Sequence, residues 1–245
     1  MPRFFSPAFA GKTVGDTVAL SPEDSAHARR SLRLTVGDVL DLCDGQGHDL
    51  AAHITAFSDE AVFAAVEAVC ESKSEPHTRV TLYQGLPKGD KLEQIIQKSV
   101  ELGVAEIVPV EMRRSIAKIG DKADKKLVRL QKIADEAAGQ SERGRLPAVC
   151  PPLSFKAAVA KMQADGGKVL VCFERGGVPL GSAVSPADAV VSLVIGPEGG
   201  IAPEELQALK EAGAIVVTLG PRILRTETAP VAALAVVMEK TGNME

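Results

Sequence analysis

The chain is expected to be an α/β protein, with a small strand-rich module leading into a larger, mostly parallel sheet covered by helices. Three observations predict this. Residues 1–72 read as short strands broken by turn residues. A polar, proline-containing stretch, ESKSEPH, follows at residues 71–77. Beyond it, apolar strand-like runs alternate with helical periods, the pattern of repeated βα units. The length of 245 residues suits one or two domains, at ~100–200 residues each. Hydrophobic residues make up 45% and aromatics only 3%, so Val, Leu, Ile and Ala must fill the cores.

In the first module the strands are expected at residues 14–20, 39–43, 49–57 and 61–69. One helix interrupts them. Ser21 suits its N-cap, Pro22 its first position, and Glu23 and Asp24 the positive end of its dipole. After the linker, residues 79–86 read as a strand. Residues 91–102 form a helix with Leu92, Ile95, Ile96, Ser99 and Val100 on one face, stopped by Gly103. The alternation continues with a strand at 106–110, helices at 124–138 and 155–163, and a strand at 168–173. It ends with a strand at 190–195, a helix at 204–212, a strand at 215–219 and a helix at 229–240. The domains are therefore expected at 1–72 and 73–245.

Several functions are not indicated. No apolar run approaches the ~20 residues that span a bilayer, and the start, MPRFFSPAFAGK, reads as folded protein rather than a signal peptide. A cytoplasmic protein without membrane contact is expected. Cys43, Cys70, Cys150 and Cys172 are widely spaced and read as buried thiols of a reducing compartment. Neither they nor the four histidines show metal-ligand spacing, so no metal is expected. No GxGxxG follows a strand and no GxSxG occurs. Gly11-Lys12-Thr13 is not a P-loop, because Ser6 stands where its first glycine is needed.

Charge is distributed unevenly. The net charge is −4, yet residues 113–132 hold 8 basic and 2 acidic residues. Such a stripe can hold phosphate backbones, although a solvated helix face has the same composition.

In an open α/β sheet, ligands bind beyond the carboxyl ends of the strands. Two such ends carry the candidate site. VSLVIGPEGG (residues 191–200) and IVVTLGPRILRTETAP (215–230) each run from an apolar strand through Gly-Pro into a helix start. Glycine permits close approach to the backbone, and proline stiffens the turn. The two strands are expected to be neighbours, with Arg222, Arg225, Glu227 and two threonines gathered in the second loop.

VIGPEGG and LGPRILRTETA resemble the signature segments of SPOUT-class methyltransferases, and in particular of the ribosomal RNA small-subunit methyltransferase E family. PKGDKLEQIIQKSVELGV, HARRSLRLTVGDVLDLCDG and the opening PRFF resemble further blocks of that family, so the resemblance covers nearly the whole chain. It implies a C-terminal SPOUT-type, trefoil-knotted, mostly parallel sheet domain, preceded by a small PUA-like β-barrel domain that binds RNA. It implies S-adenosylmethionine as methyl donor, N3 of a uridine in 16S ribosomal RNA of the small subunit as acceptor, and a homodimer. Where the family usually shows Glu-Gln-Ser-Gly-Arg, this chain has Gly139-Gln140-Ser141-Glu142-Arg143, a local departure. Pro230 replaces a smaller residue in a first helical turn, where proline is accepted.

On that resemblance the cofactor is expected among Ile195, Gly196, Pro197, Gly199, Gly200, Leu219, Gly220, Leu224, Arg225 and Thr226. The uridine N3 must lose its imide proton to attack. Arg225 is the candidate for stabilising the resulting anion, Glu227 for base or for orienting Arg225, and Glu198 is a third candidate. The alternative is that Arg225 and Glu227 pair to brace the knot, which for Glu227 fits as well as a catalytic role. Arg3, Arg30, Arg33, Lys88 and Arg143, with part of the basic stripe, are the candidate RNA contacts; Arg30 and Arg33 are expected to share a helix face. The apolar helix at 229–238 is the candidate dimer interface. Rival readings are a ribose or other-base methyltransferase, an assembly factor with a vestigial site, and an enzyme for a phosphorylated metabolite.

Overall fold

The computed structural model describes residues 3–117 and 123–244. By contacts the chain divides into two compact units, 1–75 with 138–146, and 76–137 with 147–245. The reading of two consecutive domains did not anticipate that residues 138–146 belong with the first unit.

The first unit contains β1 (Arg3–Phe5), β2 (Thr17–Ala19), α1 (Pro22–Arg30), β3 (Val39–Cys43), β4 (His48–Phe57) and β5 (Val62–Glu71). The strands form one sheet in the order β1-β3-β4-β5-β2, antiparallel except for the parallel pair β1–β3. Register shifts in β4 at Ala51/Ala52 and Ile54/Ala56 bend it around a core that includes Phe4, Phe9, Leu40, Leu42, Leu50 and Ile54. Burial of each such leucine or isoleucine contributes roughly 1.5–3 kcal/mol. β1 had no strand signal of its own, being only three residues long; its pairing with β3 holds it.

Ser21 caps α1 as expected, its Oγ accepting from the Asp24 amide at 3.1 Å. The helix ends at Arg30, and Arg33 lies beyond it with φ +54°, so the two arginines do not share a helix face. The Leu34 amide bonds back to the Ala28 carbonyl and closes the helix before it can reach Arg33. The four cysteines are unbridged, but Cys70 is exposed: β5 loses its buried face after Val66.

The returning segment is held by charge. Arg143 is 4% exposed and grips Glu75 with two bonds, Nε to Oε1 at 2.8 Å and Nη2 to Oε2 at 3.0 Å. The Gly144 and Arg145 amides donate to the same carboxylate at 2.8 and 3.1 Å. Arg3 donates to Asp49 at 2.6 Å and to the Arg143 carbonyl at 2.9 Å. Burial pushes the Glu75 carboxyl up, but Arg143 and the two amides outweigh it and hold it below the usual glutamate range.

The second unit contains β6 (Arg79–Gly85), α2 (Lys91–Glu101), β7 (Glu106–Glu111), most of α3 (Ala123–Gln140), β8 (Ala148–Val149), β9 (Leu153–Ser154), α4 (Phe155–Asp165) and β10 (Lys168–Cys172). It continues with β11 (Val178–Pro179), α5 (Leu180–Ala183), β12 (Val190–Ile195), α6 (Pro203–Glu211), β13 (Ile215–Thr218) and α7 (Ala229–Lys240). The sheet order is β11-β13-β10-β12-β6-β7-β8, with β9 also on β7, and every pair is parallel. A parallel sheet is covered on both faces, which is why β6, β7 and β12 are buried along nearly their whole length, and why β7 and β12 are largely apolar.

The strands carrying the two Gly-Pro loops are not neighbours, because β10 pairs with both and separates them. After β13 the chain crosses back over β10 to the β6–β12 side, and α7 packs on α2, α5 and β12. Such a crossing is what a trefoil-type return requires. Gly85 sits where the end of β6 meets the β12 loop: a Cβ there would lie 2.5 Å from Pro197 Cδ.

Glu142 has φ +57°, which explains why the resembling sequences place glycine there. Glu142→Gly is expected to raise stability by about 0.5–1 kcal/mol by removing left-handed strain; a lower urea midpoint would contradict this. Glu75→Gln should cost about 3 kcal/mol, since it takes the negative charge out of a buried, doubly hydrogen-bonded ion pair. With a lowered folded pKa, the Glu75 contribution is complete above the unfolded glutamate pKa and is lost as pH falls through the folded one. Urea midpoints of wild type and Glu75→Gln should therefore differ at neutral pH and converge in acid.

Candidate active site

The carboxyl ends of β10, β12 and β13 open on one cavity of about 620 Å³. Its wall is residues 195–201 after β12, residues 172–175 at the end of β10, and residues 218–220 and 222–226 after β13, with Lys91, Arg114 and Ala229. All ten loop residues singled out from the sequence as cofactor candidates lie in this wall, as do the catalytic candidates Glu198 and Arg225. Glu227 is not part of the wall but pairs with Lys91, which is.

Backbone geometry shapes the two loops. The Gly200 amide closes a turn onto the Pro197 carbonyl at 2.9 Å, with Gly200 at φ +72°. Gly199 packs against Arg114, where a Cβ would approach to 2.9 Å. A hydrogen-bond chain ties the loops together. Thr226 Oγ1 donates to the Gly196 carbonyl at 2.9 Å and accepts from Gln84 Nε2 at 3.1 Å. Gln84 is fully buried at the end of β6, and Thr226 is 6% exposed. The residue that begins the β12 loop and the residue that precedes Glu227 are thus joined through one hydroxyl.

At the rim, Lys91 from the first turn of α2 bridges two carboxylates. Its Nζ lies 3.0 Å from Glu198 Oε1 and 3.2 Å from Glu227 Oε2. Glu198 Oε1 also accepts from the Lys88 amide at 3.1 Å. Arg225 Nη1 is 4.0 Å from Glu227 Oε1, and its side chain is 82% exposed. Burial pushes both carboxyls up, but their own backbone amides and the Lys91 ammonium outweigh it and keep both below the usual glutamate range. Hydrogen bonding to Glu198, then to Glu227, holds the Lys91 ammonium above its usual value. All three groups are therefore charged at neutral pH. In the wall, burial pushes the Cys172 thiol up to about 12, so it is an inert lining group.

Sequence reasoning missed Lys91, Gln84, Arg114 and the β10 end with Glu174. Lys91 carried a signal in Pro87-Lys88-Gly89-Asp90-Lys91, a charged loop opening a helix. The β10 end carried one in Phe173-Glu174-Arg175-Gly176-Gly177, but without Gly-Pro it went unread.

The RNA candidates separate into two groups. Arg30, Arg33 and Lys88 are exposed. Arg3 and Arg143 are instead spent on the interior pairs with Asp49 and Glu75. In the basic stripe, Arg113 pairs with Glu204, Arg129 with Glu93 at 2.8 Å and Lys132 with Glu136 at 4.0 Å; Lys118 and Lys122 lie outside the described residues. Among the described residues no group of His, Cys, Asp or Glu is placed to hold a metal ion.

Comparison with known proteins gives a consistent result. Residues 73–238 match the model of the RNA methyltransferase domain, and residues 20–67 match that of the RNA methyltransferase PUA domain. The chain is 37% identical over 233 residues to ribosomal RNA small subunit methyltransferase E of Bacillus subtilis, covering 92% of this chain and 91% of that protein. It is 35% identical to the protein of the same name from Mycobacterium bovis, over 94% of this chain and 89% of the relative. The crystal structure of the Neisseria gonorrhoeae enzyme of that name, bound to S-adenosyl methionine, superposes with a TM-score of 0.87 at 36% identity, covering 98% of this chain and 97% of that one. With the parallel sheet and the two Gly-Pro loops in place, the chain belongs to the ribosomal RNA small subunit methyltransferase E family.

Proposed function

We propose that this protein transfers a methyl group from S-adenosylmethionine to N3 of a specific uridine in 16S ribosomal RNA. The observation that carries the reading is the cavity at the carboxyl ends of β10, β12 and β13, lined in part by Lys91, Glu198 and Arg225, with Glu227 paired to Lys91 and near Arg225. The residues fit the methyl donor. A volume of about 620 Å³ is within the range of small-molecule sites. Ile195, Leu219 and Leu224 offer apolar surface to an adenine, and Gly196, Gly199, Gly200 and Gly220 offer backbone at close range. Pro197 and Thr226 set the loop shape, and Glu174 supplies an acceptor for hydroxyl or ammonium groups.

The bound donor supplies an electrophilic methyl on a sulfonium. The protein's part is alignment and charge. Holding N3 in line with that methyl lowers the barrier by several kcal/mol, of the ~7–11 kcal/mol available to well-oriented reactants. Arg225, on the exposed side of the cavity, stabilises negative charge at the uracil oxygens. Glu227, ionised and partly accessible, accepts the N3 proton, and Glu198 keeps Lys91 in place.

Residues 1–72 act as the PUA-like RNA-binding domain and 73–245 as the methyltransferase domain, with residues 138–146 packed on the first. Arg30, Arg33 and Lys88 contact RNA phosphates, with salt-dependent strength. The protein acts in the cytoplasm on the small ribosomal subunit; no helix among the described residues is long and apolar enough to cross a membrane. It works as a homodimer through α7. That helix buries Ala233, Leu234, Val237 and Met238 within its own chain and leaves Val231, Ala232, Ala235 and Val236 half-exposed.

Mass spectrometry of small-subunit RNA from cells lacking the protein tests the reading. One uridine should lose its N3 methyl, the wild-type gene should restore it, and Arg225→Ala should not, while Arg225→Ala protein still binds S-adenosylmethionine in calorimetry. An unchanged spectrum in the deletion strain would sink the assignment, and full restoration by Arg225→Ala would remove that residue from the chemistry.

A further inference from the structure

Lys91 is the group at the rim that the reading above leaves without a chemical task. It is 32% exposed, lines the cavity, and stands between two carboxylates from different loops. Glu198, itself fixed by the Lys88 amide, holds it from one side. On the other side is Glu227, and beyond Glu227 is Arg225. The charged row is therefore cation, carboxylate, cation: Lys91, Glu227, Arg225.

The geometry points to Lys91 as a second substrate-contacting cation, completing a donor–acceptor–donor row that selects the uracil base. This rests on the uridine-N3 reading. The pairing edge of uracil presents O2, N3–H and O4, an acceptor, a donor and an acceptor. Glu227 between two cations is its complement. Cytosine presents an unprotonated N3 and an amino donor, so it would set a lone pair against the carboxylate and leave one cation unpaired; such a mismatch discriminates strongly. The same row serves the reaction. The N3–H bonding pair stays on nitrogen and forms the new N3–C bond, while the proton passes to the Glu227 carboxylate and then to water. The bond from carbon to the donor sulfur breaks, and its pair stays on sulfur. Negative charge spreads from N3 to O2 and O4 as the proton leaves, and Lys91 and Arg225 meet it there.

The charged groups that face Lys91 are Glu198 from the β12 loop and Glu227 from the segment before α7; Glu93 of its own helix is paired with Arg129. Both facing carboxyls lie below the usual glutamate range, so neither neutralises near pH 7 and the row keeps its pattern.

Lys91→Met and Lys91→Arg test this in single-turnover methyl transfer by the full chain. The substrate is small ribosomal subunits lacking the methyl group, with either uridine or cytidine at the target position. Lys91→Met should bind S-adenosylmethionine as the wild type does in calorimetry. It should transfer methyl about 100-fold more slowly at neutral pH, as for loss of one preorganised donor. The deficit should narrow as rising pH removes the N3 proton without help, Lys91→Arg should recover most of the rate, and the preference for uridine over cytidine should shrink in Lys91→Met. A wild-type rate in Lys91→Met, a pH-independent loss not rescued by arginine, or weakened cofactor binding would each overturn the inference while leaving the reaction assigned. If the wild type places no methyl on uridine N3, the underlying reading falls instead.

Discussion

One hydroxyl holds the cavity together. Thr226 Oγ1, between the Gly196 carbonyl and the Gln84 amide, joins the ends of β12 and β6 to the loop that follows β13. Burial of Ala233, Leu234, Val237 and Met238 on α7 brings the chain back across the sheet, and this hydroxyl fixes the loop in between, whose Ile223 and Arg225 are exposed and bury nothing. The loop so fixed carries Arg225 and Glu227 to the Lys91 side. The groups on this chain are buried, so their hydrogen bonds must be made; a buried partner left unpaired costs about 1–3 kcal/mol. The glycines serve the same closure: Gly85 lets β6 end against Pro197, and Gly200 lets the β12 loop turn.

The four charges joined through Lys91 and Glu227 are balanced. Lys91 and Arg225 bring two positive charges, and Glu198 and Glu227 two negative ones. A balanced group costs less to desolvate when a base covers it than a single uncompensated ion would. The same economy appears in the first unit, where Arg143 and Arg3 are turned inward to pair with Glu75 and Asp49. Arginine is counted as RNA-binding by composition alone, yet here two of the five candidates stabilise the fold. Composition records the number of cations, and only packing decides which of them face solvent.

Much of this was legible in the chain. The strands β3, β4, β6, β7, β10, β12 and β13 announce themselves through apolar or alternating residues, most of them beside a glycine, and α1 and α2 through their starts and faces. The two Gly-Pro loops were readable as a ligand site because they end strands. What was not legible depends on partners distant in sequence. β1 and β11 are too short to signal and exist through pairing with β3 and β13. The insertion of β10 between β12 and β13 follows no local rule, since strand order is set by crossover geometry. Lys91 lies over 100 residues from Glu198, so its role emerges only when α2 is packed. Arg33 left the helix because the Leu34 amide finds the Ala28 carbonyl, a closure that residue type alone does not specify.

The central claim is that the Gln84–Thr226–Gly196 chain builds the cavity that holds the methyl donor. The direct measurement is calorimetric titration of S-adenosylmethionine into wild type and Thr226→Val, a change that removes the hydroxyl and keeps the shape. Loss of about 1–3 kcal/mol of loop closure should weaken binding roughly 5- to 150-fold, with the thermal midpoint of the first unit unchanged. Equal affinity in the two proteins would contradict the claim.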